Sequence, residues 1–168
     1  MQPIFLLSIP ANEPLDFFKP NEIQGVNWWK SMDGTTRRAY LSGAQPQHNN
    51  AVELQLINEL KGVNFTQSGD FHYIVETDIP ANAEADFNDW YNNEHLPGLA
   101  SVPGTISAKR YVRQSGAPKY IACYELASPQ VMEQKEWLAV RNTDWSSRIR
   151  PMFLNTVRTL FTRDLGIS

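Results

Sequence analysis

The sequence predicts an α+β domain of split β-α-β-β-α-β order, and three observations carry that reading. DFHYIVETDIP at 70–80 is an apolar run of strand length that breaks at a proline and passes into helical spacing. TISAKRYV at 105–112 and KYIACYEL at 119–126 are two strand patterns joined by a hairpin connection, SGAP. Ser128-Pro129 then opens a second helix, and LNTVRTLFTR at 154–163 supplies a closing strand.

The elements follow in chain order. Residues 4–9 read as a strand ended by Pro10. Residues 11–48 are irregular, but Phe17, Phe18, Trp28 and Trp29 imply that they pack onto something, and RRAYLSG at 37–43 reads as a short strand. From Asn49 the spacing predicts a helix: Val52, Leu56 and Leu60 lie four apart, Ile57 lies beside them, and Gly62 is a C-terminal stop. After the strand at 70–80, Asn82 can cap a helix whose first turn holds Glu84. Phe87, Tyr91 and His95 share one face of it, and Pro97 should stop it. The helix from Ser128 should run to about Arg141, and Thr143 can cap a short further helix that Pro151 ends.

From residue 70 this is the ferredoxin-like order, an antiparallel sheet with both helices on one face. Its strands are apolar on both faces: Phe71, Tyr73 and Val75 alternate with His72, Ile74 and Glu76. Helices cover one face only. The other must meet a second sheet or line a pocket, which implies a homodimer or an internal partner sheet.

The 168 residues suit one domain, or one domain with a substantial extension. Fifteen Lys and Arg against 18 Asp and Glu leave a charge of -3 with both signs interspersed, which argues against a nucleic-acid partner. Arginines gather at 141–163, but apolar residues separate them, and they read as a solvated face. Cys123 is the single cysteine, so no internal disulfide can form, and its apolar neighbours predict a buried thiol. The opening MQPIFLLSIPANEP has no basic segment and is too short to span a membrane, so the expectation is a cytoplasmic protein without a membrane partner.

WYNNEHLPGLASVPG, the strand ending in KRY, and PKYIACYELASP followed by a tryptophan-bearing helix resemble the dimeric α/β-barrel superfamily. Within it the chain is most similar to the EthD-like group, over roughly residues 68–163. Trp90, Tyr91, Glu94, His95, Leu96, Pro97 and the later Pro103-Gly104 carry the resemblance, which is fairly specific for fold and weak for reaction. It implies a domain at 68–168 whose sheet presses on a partner sheet, with a cleft between sheet and helices. Residues 1–67 match no full module. LLSIPANEPLDFF nevertheless echoes IVETDIPANAEADFNDW, so this part reads as an N-terminal extension or a diverged partial copy.

His95 is the first catalytic candidate, because an imidazole exchanges protons near neutrality. The resemblance implies that it points into the cleft. Tyr91, one turn earlier, can orient a phenolic or enolic oxygen, and His72 can pair with His95 if its face of the strand lines the same cleft. Substrate-binding candidates are Trp90 and Glu94 beside them, Tyr124 on a central strand, Arg110 and Arg148 as anion partners, and Trp28 and Trp29 as a lid. No spacing demands a metal, and phosphate loops, dinucleotide fingerprints and nucleophile elbows are absent.

The expected function is that of a small enzyme needing no cofactor, an isomerase, cyclase or lyase acting on an aromatic, polyketide-like or conjugated carbonyl compound by His-centred acid/base chemistry. Two alternatives share the cleft: a cofactor-free monooxygenase, and a noncatalytic protein that binds an apolar ligand.

Overall fold

The computed structural model describes residues 2–19 and 25–166. Eight antiparallel strands close into one barrel within a single chain. They are β1 (Ile4–Pro10), β2 (Trp28–Ser31), β3 (Thr36–Ser42), β4 (Ala51–Lys61), β5 (Phe71–Asp78), β6 (Thr105–Arg113), β7 (Tyr120–Leu126) and β8 (Leu154–Arg163). Around the barrel the order is β1-β3-β2-β8-β5-β7-β6-β4, with β4 returning to pair with β1. The second half, β5 to β8, has the ferredoxin-like order β8-β5-β7-β6. The first half repeats it as β4-β1-β3-β2.

The sheet face that lacks helices is therefore covered by the chain's own N-terminal strands. A second copy is not needed to close the barrel. Closure also removes the unpaired edges that an open four-stranded sheet would present.

The segment read as a helix from Asn49 is the long strand β4. A spacing of four residues satisfies an alternating pattern as well as a helical one. Val52 and Leu54 lie opposite Leu6 and Ile4 of β1, and a bulge between Leu56 and Asn58 shifts the phase before Leu60. In the N-terminal half, the described residues between β1 and β2 and between β3 and β4 form no helix, where the C-terminal half has helices. Phe18 and Trp28 pack on the outward side of β1 and β3, against Phe5, Leu7, Ile9 and Leu41.

The helices lie on the outer face of the second half. Helix α1 (Glu84–Trp90) passes through a wide π-helical turn at Tyr91–His95 into α2 (Leu96–Ala100). Pro97 thus does not stop the helix. It sits in the first turn of α2, where a missing N–H is tolerated, and the widened turn just before it absorbs the interruption. Asn82 does not cap α1, which is entered through a 3-10 turn at Ala81–Ala83. A second 3-10 turn, Pro129–Glu133, leads to α3 (Lys135–Arg141). Thr143 caps α4 (Asp144–Ile149), its side-chain oxygen accepting from the Ser146 amide at 3.1 Å. Among the described residues no helix is long and apolar enough to cross a membrane.

Candidate functional site

The central strands β5 and β7 sort their side chains onto two sides. Tyr73, Val75, Tyr120, Ala122 and Tyr124 face the helices, while Ile74, Ile121 and Cys123 join Leu6, Trp29, Leu54 and Phe161 inside the barrel. Each side holds one of the buried histidines.

On the helix side, His95 lies at the end of the π turn. Its ring stacks on Trp90 at 4.2 Å and meets the Tyr91 ring edge-on at 5.3 Å. His95 Nδ1 is buried and has no hydrogen-bond partner among the described residues. Burial first, then the charges of Arg150, Arg141 and Arg110, push its pKa down to about 3. The imidazole is neutral near neutrality. Tyr124 is also buried with an unpartnered hydroxyl, and burial holds its pKa well above the usual phenol value. Burial likewise lifts Tyr91 to about 12, against the opposing charge of Arg110.

These groups converge on a void of about 30 Å³, further walled by Trp137 and Phe153 and rimmed by Arg141, Arg150 and Arg158. That is room for about one water molecule. None of the three arginines has a carboxylate within ion-pair distance among the described residues. Arg150 donates to the Arg141 carbonyl at 3.2 Å, and burial together with its cationic neighbours lowers its pKa. Three cations beside an unpartnered buried hydroxyl and imidazole form a site complementary to a small anion.

The remaining candidates fall elsewhere. Arg110 is fully buried against α1, donating to Asn88 at 2.8 Å and Asn92 at 3.1 Å, with its guanidinium 4.2 Å from the Tyr91 ring centre. It positions Tyr91 and does not line the void. Glu94 accepts from the Thr143 hydroxyl and ties the π turn to the cap of α4. Arg148 pairs with Asp86 on the surface. Trp28 packs under the 11–19 loop, edge-on to Phe18, and is no lid.

His72 and His95 cannot act as a pair, because the sheet lies between them. His72 points into the barrel, where Trp29 stacks on it at 4.8 Å and the Tyr40 hydroxyl lies 2.9 Å from its Nε2. Burial, followed by Arg38 and Lys109, lowers its pKa to about 3. Trp29 is thus a barrel residue, not a cover for the cleft. Beside them opens a much larger cavity, of about 540 Å³.

Sequence reasoning missed Trp137, Arg141, Arg150 and Arg158 as site residues. A signal existed: residues 148–163 hold four arginines and no acidic residue. Read as a solvated face, it pointed nowhere.

No family model matches the sequence. The search of curated proteins returned no significant match either. Solved structures do match in shape. A major regulator of staphylococcal pathogenesis has a TM-score of 0.69 at 8% identity, covering 97% of this chain and 99% of its own. LmHde, a heme-degrading enzyme from Listeria monocytogenes, gives 0.67 at 10% identity, with 97% and 100% covered. A ferredoxin-fold protein from Listeria monocytogenes, related to antibiotic biosynthesis monooxygenases, gives 0.62 at 7%, with 98% and 96% covered. At these identities the likeness establishes the fold, and function has to be argued from the site.

Proposed function

We propose that the helix-side cleft binds a small conjugated carbonyl or phenolic compound carrying negative charge and catalyses proton transfer on it. The observation that carries this reading is the meeting of three arginines without a carboxylate partner among the described residues with two buried, unpartnered polar atoms, Tyr124 Oη and His95 Nδ1, around one void. An unsatisfied buried group costs about 1–3 kcal/mol, and a bound oxyanion would satisfy the hydroxyl and balance the cations.

In this reading Arg141, Arg150 and Arg158 hold the substrate's anionic group, and Tyr124 donates to the oxygen on which charge develops. His95 takes the proton from the carbon next to the carbonyl and returns it at a second position, so an isomerisation is balanced without oxidant or reductant. The low pKa of His95 belongs to the cleft without an anion. A negative charge beside the ring favours the imidazolium and raises its basicity as substrate binds. The void is too small for such a molecule, so entry requires the lining side chains to move apart.

The test is deuterium exchange. Aryl β-keto acids and aryl pyruvates in heavy water, followed by proton NMR, report removal of the proton next to the carbonyl directly. Exchange catalysed by the wild-type protein and abolished in His95→Ala, with binding retained, supports the reading. Exchange that survives the substitution, or is absent with every acid tried, removes it. Oxygenation shares the same opening step, and several structural neighbours are described as monooxygenases, monooxygenase-like or related to monooxygenases. Oxygen uptake measured in parallel separates the two reactions.

A further inference from the structure

The barrel interior holds a second site, independent of the cleft. One end is closed by an ion-paired plug: the Glu76 carboxylate bridges Arg38 and Arg113, and Arg38 also donates to the Ser8 hydroxyl at 3.0 Å. The opposite end opens into the cavity of about 540 Å³, within the range of about 300–1,000 Å³ typical of small-molecule pockets. In β5, Glu76 and His72 lie four residues apart on the inward face, so the plug and the cavity are separated by about 13 Å. Barrels of this strand number are just wide enough for side chains to fill or for one small ligand. Here the plug fills one end and leaves the other open.

The walls are aromatic. Trp29 stacks on His72 and has the Arg163 guanidinium 4.9 Å from its ring centre, and Tyr40 lies alongside Tyr111 at 5.8 Å with planes 23° from parallel. The Tyr40 hydroxyl, which bonds His72, also lies 3.2 Å from Cys123 Sγ. Burial drives both the Tyr40 and Cys123 pKa values upward, so neither supplies negative charge near neutrality.

The charges at the open end do not balance. Lys109 pairs with Glu59 at 2.9 Å, and Arg163 lies 3.6 Å from Asp70 while donating to the Gly69 carbonyl. Glu125 remains. It sits opposite His72 on β5 and Ser107 on β6, lines the cavity, and has no hydrogen bond or ion pair among the described residues. Burial raises its pKa, and the more distant charges of Lys109 and Arg163 offset this only in part.

We propose that this cavity binds a small organic cation with a flat apolar body, an aryl-alkyl amine, whose ammonium pairs with Glu125 while its ring lies among Trp29, Tyr40 and Tyr111. An aromatic enclosure with one carboxylate suits a cation, because ring faces and carboxylate both present negative potential. A carboxylate ligand would meet Glu125 as a like charge, with Lys109 held by Glu59 and Arg163 shared between Asp70 and the Trp29 ring.

Isothermal titration calorimetry with tryptamine and phenethylamine, compared with the equally shaped indole-3-propionate and ethylbenzene, tests this. The amines should bind, and the anion and hydrocarbon should bind at least about tenfold more weakly. Glu125→Gln should weaken amine binding about tenfold or more while leaving thermal stability at or above that of the wild type. Ser107→Trp, which fills the cavity beside Glu125, should abolish binding while the carboxylate itself stays in place. His95→Ala should leave amine binding unchanged, which separates this site from the cleft. No amine binding, equal binding of the anion, or binding indifferent to Glu125→Gln and Ser107→Trp would overturn the proposal.

Discussion

The His95 imidazole lies nearly flat on the Trp90 indole, with ring centres 4.2 Å apart and planes 25° from parallel. Stacking of this kind needs His95 close beside its neighbour in the helix, and the π turn at Tyr91–His95 supplies the rotation that brings both rings to the sheet side. A neutral ring is held there by burial, and this makes the histidine sensitive to acid.

His95 and His72 both have pKa values near 3 in the folded chain, against 6.5 as the ordinary value. The unfolded chain therefore binds more protons between pH 6.5 and 3. Stability is fully present above about pH 6.5 and falls as pH drops through that window, by up to about 1.4 kcal/mol per pH unit for each histidine. Urea unfolding at pH 7.0, 6.0 and 5.0 should show the decline. A His72→Gln, His95→Gln double variant should flatten it, and an unchanged slope would show that other groups carry the pH dependence.

Arg150 rims the cleft without an acidic partner, so its removal relieves repulsion from Arg141 and Arg158. Arg150→Met should keep or slightly raise the melting temperature. The same variant should weaken binding of an aryl β-keto acid about tenfold, with little change for its methyl ester. Equal losses for acid and ester would rule out recognition of the anion by this arginine.

The two types of ion pair should differ sharply in value. Glu76 is buried between two arginines, and Glu76→Ala leaves both unpaired in the barrel, a loss of about 3–5 kcal/mol in unfolding free energy. Arg148→Ala removes a solvated pair with Asp86 and should cost no more than about 1 kcal/mol. Denaturant titration of both variants checks the contrast. Similar losses would mean that the plug at the closed end is less buried than its geometry indicates.

Gly104 has a φ of 93°, and a Cβ there would lie 2.4 Å from Val131 Cγ2. Gly104→Ala should destabilise by about 1–3 kcal/mol, through the left-handed backbone and the clash together. Pairing it with Val131→Ala relieves only the clash, so the double variant should recover less than the cavity-corrected sum of the two. Full recovery would show that the backbone conformation costs nothing.

The C-terminal half of the fold was legible in the sequence because its signals are local. The apolar strands, the SGAP connection, Ser128-Pro129 and the Thr143 cap each act within a few residues. The N-terminal half was harder. Val52, Leu56 and Leu60 fit two periodicities at once, and the choice between them lies in pairing with β1 and β6, which neighbouring residues do not specify. Within the candidate site, Tyr91, His95, Trp90 and Tyr124 were identified from a helix face and a strand. Trp137 and the three arginines come from α3, the turn after α4, and β8, and only packing brings them to the same void.

The sequence by itself determined the order of strands and helices from residue 70, the two apolar faces of the sheet, and the placement of His72 on a strand and His95 on a helical segment. Tertiary structure decided what covers each face and where each histidine went. Strand alternation sends His72 and Tyr73 to opposite sides of β5, yet nothing local says which side meets helices and which meets a second sheet. That assignment rests on β1 to β4 returning to close the barrel, a set of long-range hydrogen bonds whose partners lie tens of residues apart.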